Sequence, residues 1–124
     1  MSFAKTESVS ITTAADGSAT AYTTGVYNGR IVKILYGGEF DATLDTTITT
    51  DVTGQTLWTE TDVAKAATFR CPRDPTHSSV GVASLYAGAG EPVEDHIWAC
   101  NERIKFVLAQ GGNAVTGTFR VIVA

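Results

Sequence analysis

Four side chains of the kinds that bind zinc occur in the second half of the sequence, namely Cys71, His77, His96 and Cys100. Two thiolates and two imidazoles suit the tetrahedral coordination of zinc. His96 and Cys100, however, belong to a segment predicted to be a strand, in which a rise of about 3.3 Å per residue places them roughly 13 Å apart. That distance is too large for one ion, so we predict no metal site; a helix or a sharp bulge at this point would reverse the prediction.

Acidic residues offer a second kind of site. Glu39, Asp41, Asp45 and Asp51 could supply the several oxygen ligands that calcium takes from one flexible segment. The Asp-x-Asp-x-Asp-Gly pattern of a calcium-binding loop does not occur, and Asp41 and Asp45 equally suit hydrogen bonds in a turn near Gly38. We therefore prefer the turn interpretation.

Side chains for hydrolysis are present without the spacing that hydrolysis requires. Ser78 and Ser79 follow His77 directly, and adjacent residues rarely present a hydroxyl to an imidazole. The nucleophile-elbow pattern Gly-x-Ser-x-Gly does not occur. Carboxylates such as Glu91 and Glu94 could form a glycosidase pair, but the sequence does not set their separation. We predict no catalytic residue and no cofactor, and hence a protein that is not an enzyme.

The charge and hydropathy of the chain argue against two classes of partner. The formal net charge is −4 and the basic residues are scattered, whereas phosphate binding needs clustered Lys and Arg. Apolar runs do not approach the roughly 20 residues that span a bilayer, and the polar amino terminus does not resemble a secretory signal. We expect synthesis in the cytoplasm, no contact with nucleic acid or membrane, and free, buried thiols at Cys71 and Cys100.

The elements that would position these side chains are strands. The 124 residues have the size of one domain, residues 1–124, and 19 Thr and 12 Gly against 3 Pro favour extended segments that alternate with turns. Alternating apolar and polar residues, with turn signals about every ten residues, predict about eight strands. We therefore predict an all-β fold, an antiparallel β-sandwich of jelly-roll or Greek-key type.

Turn residues place some of these strands. Asp16-Gly17 predicts a hairpin that joins residues 8–14 to residues 19–24, because Gly tolerates the positive φ of a tight turn. Gly54 predicts a second hairpin. The last eight residues, 117–124, alternate cleanly and predict a terminal strand held within a sheet.

The segment Arg30–Tyr36 has apolar residues on both of its alternating faces. One face suits the core, and the second must be covered by the other sheet, by a loop or by a neighbouring subunit. We predict Ile31, Lys33 and Leu35 as contact residues on the outward face. Plain burial in the core is the alternative.

A long connection is predicted between Asp74 and Pro92, where Ser, Gly and Ala are frequent and apolar residues are isolated. In a small domain a connection of this length is often functional. We predict that it is partly ordered and that Val82, Leu85 and Tyr86 contact a partner.

Residues 1–7 are predicted to form a contact arm, with Phe3 as its contact residue.

Trp and Tyr carry much interface energy when they lie outside a core. For Trp58 and Trp98 the safer prediction is burial in the core.

Four segments carry a resemblance to a known class of proteins: Thr12–Thr20, Gly29–Tyr36, Thr53–Thr59 and Glu102–Gly112. They resemble segments of small proteins encoded among the virion genes of tailed bacteriophages and prophages, and the similarity spans nearly the whole chain. Its motifs are patterns of turns and strands rather than catalytic signatures.

The resemblance implies a structural component of the virion, with capsid decoration or cement as the first choice of role. Such proteins are typically compact β-domains that sit as dimers or trimers on the joints between major capsid subunits, so it also implies a virion location after assembly in the host cytoplasm. A head-to-tail joining or tail-associated protein is the first alternative. A carbohydrate-binding module on a virion spike and a small hydrolase are the others.

Overall fold

Eleven strands and no helix form the regular structure of residues 4–124, the part of the chain that the computed structural model describes. The strands are β1 (Lys5–Thr12), β2 (Ala19–Tyr22), β3 (Tyr27–Tyr36), β4 (Leu44–Thr50), β5 (Thr56–Val63), β6 (Thr68–Arg70), β7 (Arg73–Pro75), β8 (Glu94–His96), β9 (Trp98–Glu102), β10 (Ile104–Ala109) and β11 (Thr116–Val123). The predicted all-β class with antiparallel sheets is confirmed. The described residues contain no helical segment of the length and apolarity that crossing a lipid bilayer takes.

The prediction of about eight strands is wrong. Two of the additional strands, β7 and β8, are only three residues long, and β7 extends into the segment that was predicted to be a connection. Ile97 then separates β8 from β9, so that one predicted strand is two. Pairs this short carry too little alternation to be recognised in a sequence.

The strands form three antiparallel sheets. In the first sheet the order is β1-β11-β3-β6, and β9 pairs with the other end of β3. In the second sheet the order is β2-β10-β4-β5, while β7 and β8 pair with each other. The hairpin predicted around Gly54 is confirmed as β4 and β5. The hairpin predicted at Asp16-Gly17 is wrong, because the chain does turn there but β1 and β2 belong to different sheets.

A β-bulge lies in β3 at Val32. Lys33 is opposite Ile122, whereas Ile31 is opposite the next residue, Val123, so Val32 is the extra residue. The bulge changes which alternate residues face inward: Ile31 and Ile34 are both completely buried. The prediction that Ile31 shares an outward face with Lys33 and Leu35 is therefore wrong, and Ile31 belongs to the core.

An aromatic cluster joins the inner faces of the first two sheets. The ring of Phe119 in β11 lies 5.0 Å from that of Tyr36 in β3, and also 5.4 Å from Phe106 in β10 and 6.0 Å from Trp58 in β5. All four residues are buried, and such ring pairs add to the stabilisation from burial alone. The core thus lies between the two sheets and leaves the opposite face of each sheet outside.

Candidate interaction surfaces

The outward face of the first sheet carries three apolar and two basic side chains, which we call the outer-face patch: Leu35, Phe69, Ile122, Lys33 and Arg120. Phe69 of β6 is opposite Leu35 of β3, which is opposite Arg120 of β11. In the neighbouring row Lys33 is opposite Ile122. Each of the two rows therefore places one basic side chain beside apolar ones.

Phe69 is 52% exposed, and its ring lies 4.5 Å from Lys33 Nζ. This cation–π contact holds the ammonium group over the apolar ring while both stay accessible to solvent. Arg120 Nε donates a weak hydrogen bond to Ser8 Oγ at 3.3 Å. Within residues 4–124 neither Lys33 nor Arg120 takes part in an ion pair. The patch therefore presents two uncompensated positive charges in a chain whose net charge is −4.

A shallow cavity of about 280 Å³ opens at one end of the patch. Leu35 and Arg120 line it together with Tyr36, Gly37 and Thr118. The cavity gives the patch a concave region.

Residues 73–96, which we call the extension, form a second exposed surface. Val80 is 82% exposed and Tyr86 is 76% exposed, and Val82 and Leu85 are also exposed. The structure thus places the predicted contact residues Val82, Leu85 and Tyr86 at the surface, although it does not bring them together with the outer-face patch in a single cavity. Their contact with a partner stays a prediction.

Backbone hydrogen bonds organise the extension more fully than the sequence predicts. Thr76 N donates to Val93 O at 2.7 Å, and Ser84 N donates to Thr76 O at 3.0 Å. Isolated bridges also pair His77 with Ala83 and Leu85 with Pro92. The segment predicted to be a partly ordered connection is therefore folded back on itself as two short ladders.

A polar groove runs beside the base of the extension. One part has a volume of about 760 Å³ and is lined by Arg73, Tyr86, Glu91, Pro92 and Glu94. A neighbouring part of about 410 Å³ shares Arg73 and Glu94. The groove mixes both signs of charge, so it does not select an ion of one sign.

The remaining predicted contact residues lie elsewhere. Phe3 is outside the described residues. Lys5–Glu7 belong to β1, opposite Val121–Val123, rather than to a free arm. Phe69 and Arg120 were not predicted as contact residues, because the sequence does not reveal that β6 and β11 both pair with β3. Only the register brings these two side chains beside Leu35.

Two predicted environments are wrong. Cys71 and Cys100 are free but exposed rather than buried. Trp98 is 53% exposed, whereas Trp58 is buried at 4% as predicted. In β9 the side chains of Trp98 and Cys100 point outward, and Ala99 between them points inward and is buried. Among residues 4–124 no three His, Cys, Asp or Glu side chains are placed to hold a metal ion.

Glu102 is a buried carboxylate that holds a turn. Its Oε1 accepts hydrogen bonds from Val52 N at 2.8 Å and Thr53 N at 2.9 Å, and its Oε2 accepts from Cys100 N at 2.9 Å. Burial raises the pKa of Glu102, but these hydrogen bonds outweigh burial and leave the pKa below its usual value. All of its bonds are internal, so Glu102 has a structural role.

Glu7 plays a similar part at another turn. It accepts hydrogen bonds from Thr24 N at 2.6 Å and from Gly25 N at 2.9 Å, and also from the Tyr27 hydroxyl. Burial and the Glu7 carboxylate together raise the pKa of Tyr27 to about 12. For Glu7 itself, burial raises the pKa, but the Tyr27 and backbone hydrogen bonds lower it overall. Neither group titrates in a range that suits acid–base catalysis near neutral pH.

Comparison with known proteins identifies no relative: no family model, curated protein or solved structure matches the chain.

Proposed function

We propose that the chain is a structural protein of a tailed-phage virion, of the capsid decoration or cement type, and that it binds the head shell as an oligomer. The observation that carries the proposal is the outer-face patch, an apolar and basic surface on one sheet of an otherwise acidic protein. The partner of the patch is a capsid surface with carboxylates around an apolar side chain. The protein lies on the outside of the virion.

The topology supports a jelly-roll sandwich, the architecture common in viral capsid domains. The first four strands alternate between the two main sheets, with β1 and β3 in the first and β2 and β4 in the second. The same holds at the end of the chain for β10 and β11. Such winding places β1 beside β11 although they lie at opposite ends of the chain.

The patch is suited to a surface that is repeated many times. Each copy makes a modest contact, and an oligomer that touches several identical capsid positions gains avidity through effective concentration. Two basic side chains next to apolar ones add electrostatic steering toward an acidic partner, which weakens as salt is added. Adsorption to the shell is therefore expected to weaken as ionic strength rises.

A co-sedimentation assay with shells that lack this protein tests the proposal. The Lys33→Glu/Arg120→Glu double variant should lose shell binding, because both patch charges reverse. The matched control is Lys65→Glu, which reverses an exposed charge in the turn that follows β5. Equal binding of the wild-type protein and the double variant would contradict the assignment of the patch.

The number of copies in purified virions separates decoration from the first alternative. Mass spectrometry should find a copy number comparable to that of the major capsid protein. If each virion contains only as many copies as form a single ring, the protein is instead a head-to-tail joining or tail-associated protein.

Carbohydrate binding is a second candidate, favoured by the exposure of Trp98. An exposed indole is the usual platform for a sugar ring, and Trp98 stands on β9 away from the aromatic cluster. If host glycans bind there, they should change the tryptophan fluorescence of the wild-type protein but not that of Trp98→Ala. Trp58 is buried and provides an internal reference.

A further inference from the structure

The outer edge of β1 has no strand beside it within residues 4–124. Among the described residues β11 is the one strand that pairs with β1, from Lys5 to Thr12 and with no shift of register. Thr13 N donates to Val115 O at 2.9 Å, just beyond the ends of the two strands. In an antiparallel pair, hydrogen-bonded residues alternate with residues that are not bonded to that partner strand. The odd-numbered residues of β1 are therefore the ones that bond to β11. The even-numbered residues direct their backbone N–H and C=O groups away from the sheet. These outer-edge residues are Thr6, Ser8, Ser10 and Thr12.

β1 lacks the features with which proteins usually protect an edge strand. Such features are short length, Pro, bulges, and charged side chains along the edge. β1 has eight residues, contains neither Pro nor Gly, and forms an unbroken ladder. Its two charged residues, Lys5 and Glu7, lie together near one end.

The other edges of the two main sheets are protected. β2 has four residues and β6 has three. β5 is as long as β1, but its pairing with β4 contains two register shifts, and Asp62 has a φ of 52°. Arg70 also reaches across this side and bonds to Glu60 at 2.8 Å. β1 is thus the long, regular edge.

We infer that β1 pairs antiparallel with β1 of a second copy about a two-fold axis, so that the two first sheets join into one continuous sheet. With Val9 opposite its own copy, Ser8 meets Ser10 and Thr6 meets Thr12. Every outer-edge residue then donates and accepts one hydrogen bond.

The charges of β1 agree with an antiparallel self-pairing. In this register Lys5 and Glu7 of one copy lie at the opposite end of the joint from those of the other, so no like charges face each other. The side chains that do meet on the outer face are hydroxyls, which form favourable cross-strand pairs. An isologous contact of this kind closes after two copies. The inference stands apart from the proposed virion role, because it concerns the free protein in solution.

Sedimentation velocity over a range of protein concentrations tests the pairing, with Ser10→Pro as the main variant. Pro at position 10 removes an N–H that makes no bond within the sheet but donates across the joint in both copies. The wild-type protein should form a dimer, and Ser10→Pro should raise its Kd by at least about thirtyfold. Ser10→Ala keeps the N–H and should dimerise as the wild type does.

Two variants with opposite charges test the pairing without introducing a proline. Ser8→Lys/Ser10→Lys sets lysine opposite lysine, and Ser8→Glu/Ser10→Glu sets glutamate opposite glutamate, so each should be monomeric alone. Their mixture should form a heterodimer. A mixture that stays monomeric would overturn the antiparallel register.

Amide hydrogen exchange gives a direct view of the joint. The N–H groups of Ser8 and Ser10 should become protected as the protein concentration rises, while that of Val9 is protected throughout by β11. A monomeric wild-type protein, or an oligomer in which Ser8 and Ser10 exchange freely, would overturn the inference. A wild-type protein that dimerises through β1 but does not bind shells would count against the proposed function alone.

Discussion

The two faces of the β3–β11 pair differ although they are built from the same two strands. On the inner face Tyr36 and Phe119 are buried within an aromatic cluster that joins both sheets. On the outer face, the adjacent residues Leu35 and Arg120 are opposite each other and line an open cavity. Neighbouring positions of one strand thus serve folding on one side and remain available for binding on the other. Substitutions should separate the two roles, with loss of stability from the inner face and loss of binding from the outer.

Phe119→Ala should have the largest effect on stability. It removes the ring that contacts Tyr36, Phe40, Trp58 and Phe106, so it should lower the free energy of unfolding by about 4 kcal/mol. Urea unfolding measures the change. A loss below about 1 kcal/mol would mean that the sheets do not share this core.

Glu102→Gln should have the next largest effect, a loss of about 2 kcal/mol. A glutamine amide would turn N–H donors toward the backbone N–H groups of Val52, Thr53 or Cys100, which now bond to the carboxylate. The control is Glu91→Gln, which changes an exposed residue of the extension and should leave stability unchanged.

The effect of Glu102→Gln should also depend on pH. The pKa of Glu102 is lowered in the folded state from a usual value of 4.5, so its contribution is complete above that value and is lost as the pH falls through the folded-state pKa. The difference in unfolding free energy between wild type and variant should therefore narrow in acid. A difference that is constant between neutral and strongly acidic pH would contradict the ionised state of Glu102.

Thr46→Val should stabilise the protein by about 1 kcal/mol. Thr46 is 1% exposed, and within the described residues its Oγ1 has no hydrogen-bond partner, so the substitution removes a desolvated hydroxyl and keeps the shape. Thr50→Val on the same strand is the matched control. The Thr50 hydroxyl bonds to Thr53 Oγ1 and accepts from Gln55 N, so its loss should destabilise. Thermal unfolding of both variants, with opposite shifts in Tm, checks the prediction.

Phe69→Ala should have the smallest effect on folding, within about 0.5 kcal/mol, because its ring is 52% exposed. The same variant should weaken the proposed binding to the capsid, since the ring contacts Lys33 of the patch. Urea unfolding and co-sedimentation measured on one preparation compare the two effects. A much larger loss in the free energy of unfolding would mean that Phe69 contributes to the core, as the inner-face residues do.

The sequence alone determined the features that depend on neighbouring residues. Strict alternation predicts β11 with Phe119, Val121 and Val123 inward, and all three are buried. Gly54 predicts the β4–β5 hairpin because a tight turn needs a residue that tolerates positive φ, and Gly54 has a φ of 71°. Such signals are local, since a strand or a turn is specified by a few consecutive side chains.

Only the tertiary structure decided the features that depend on distant residues. The bulge at Val32 moves Ile31 into the core, and it arises where β3 meets β11, far along the chain. Long-range pairing likewise places Phe69 and Arg120 beside Leu35 and leaves Trp98 outside. A one-residue change in register turns a side chain to the other face, and alternation in one segment carries no information about where its partner strand shifts.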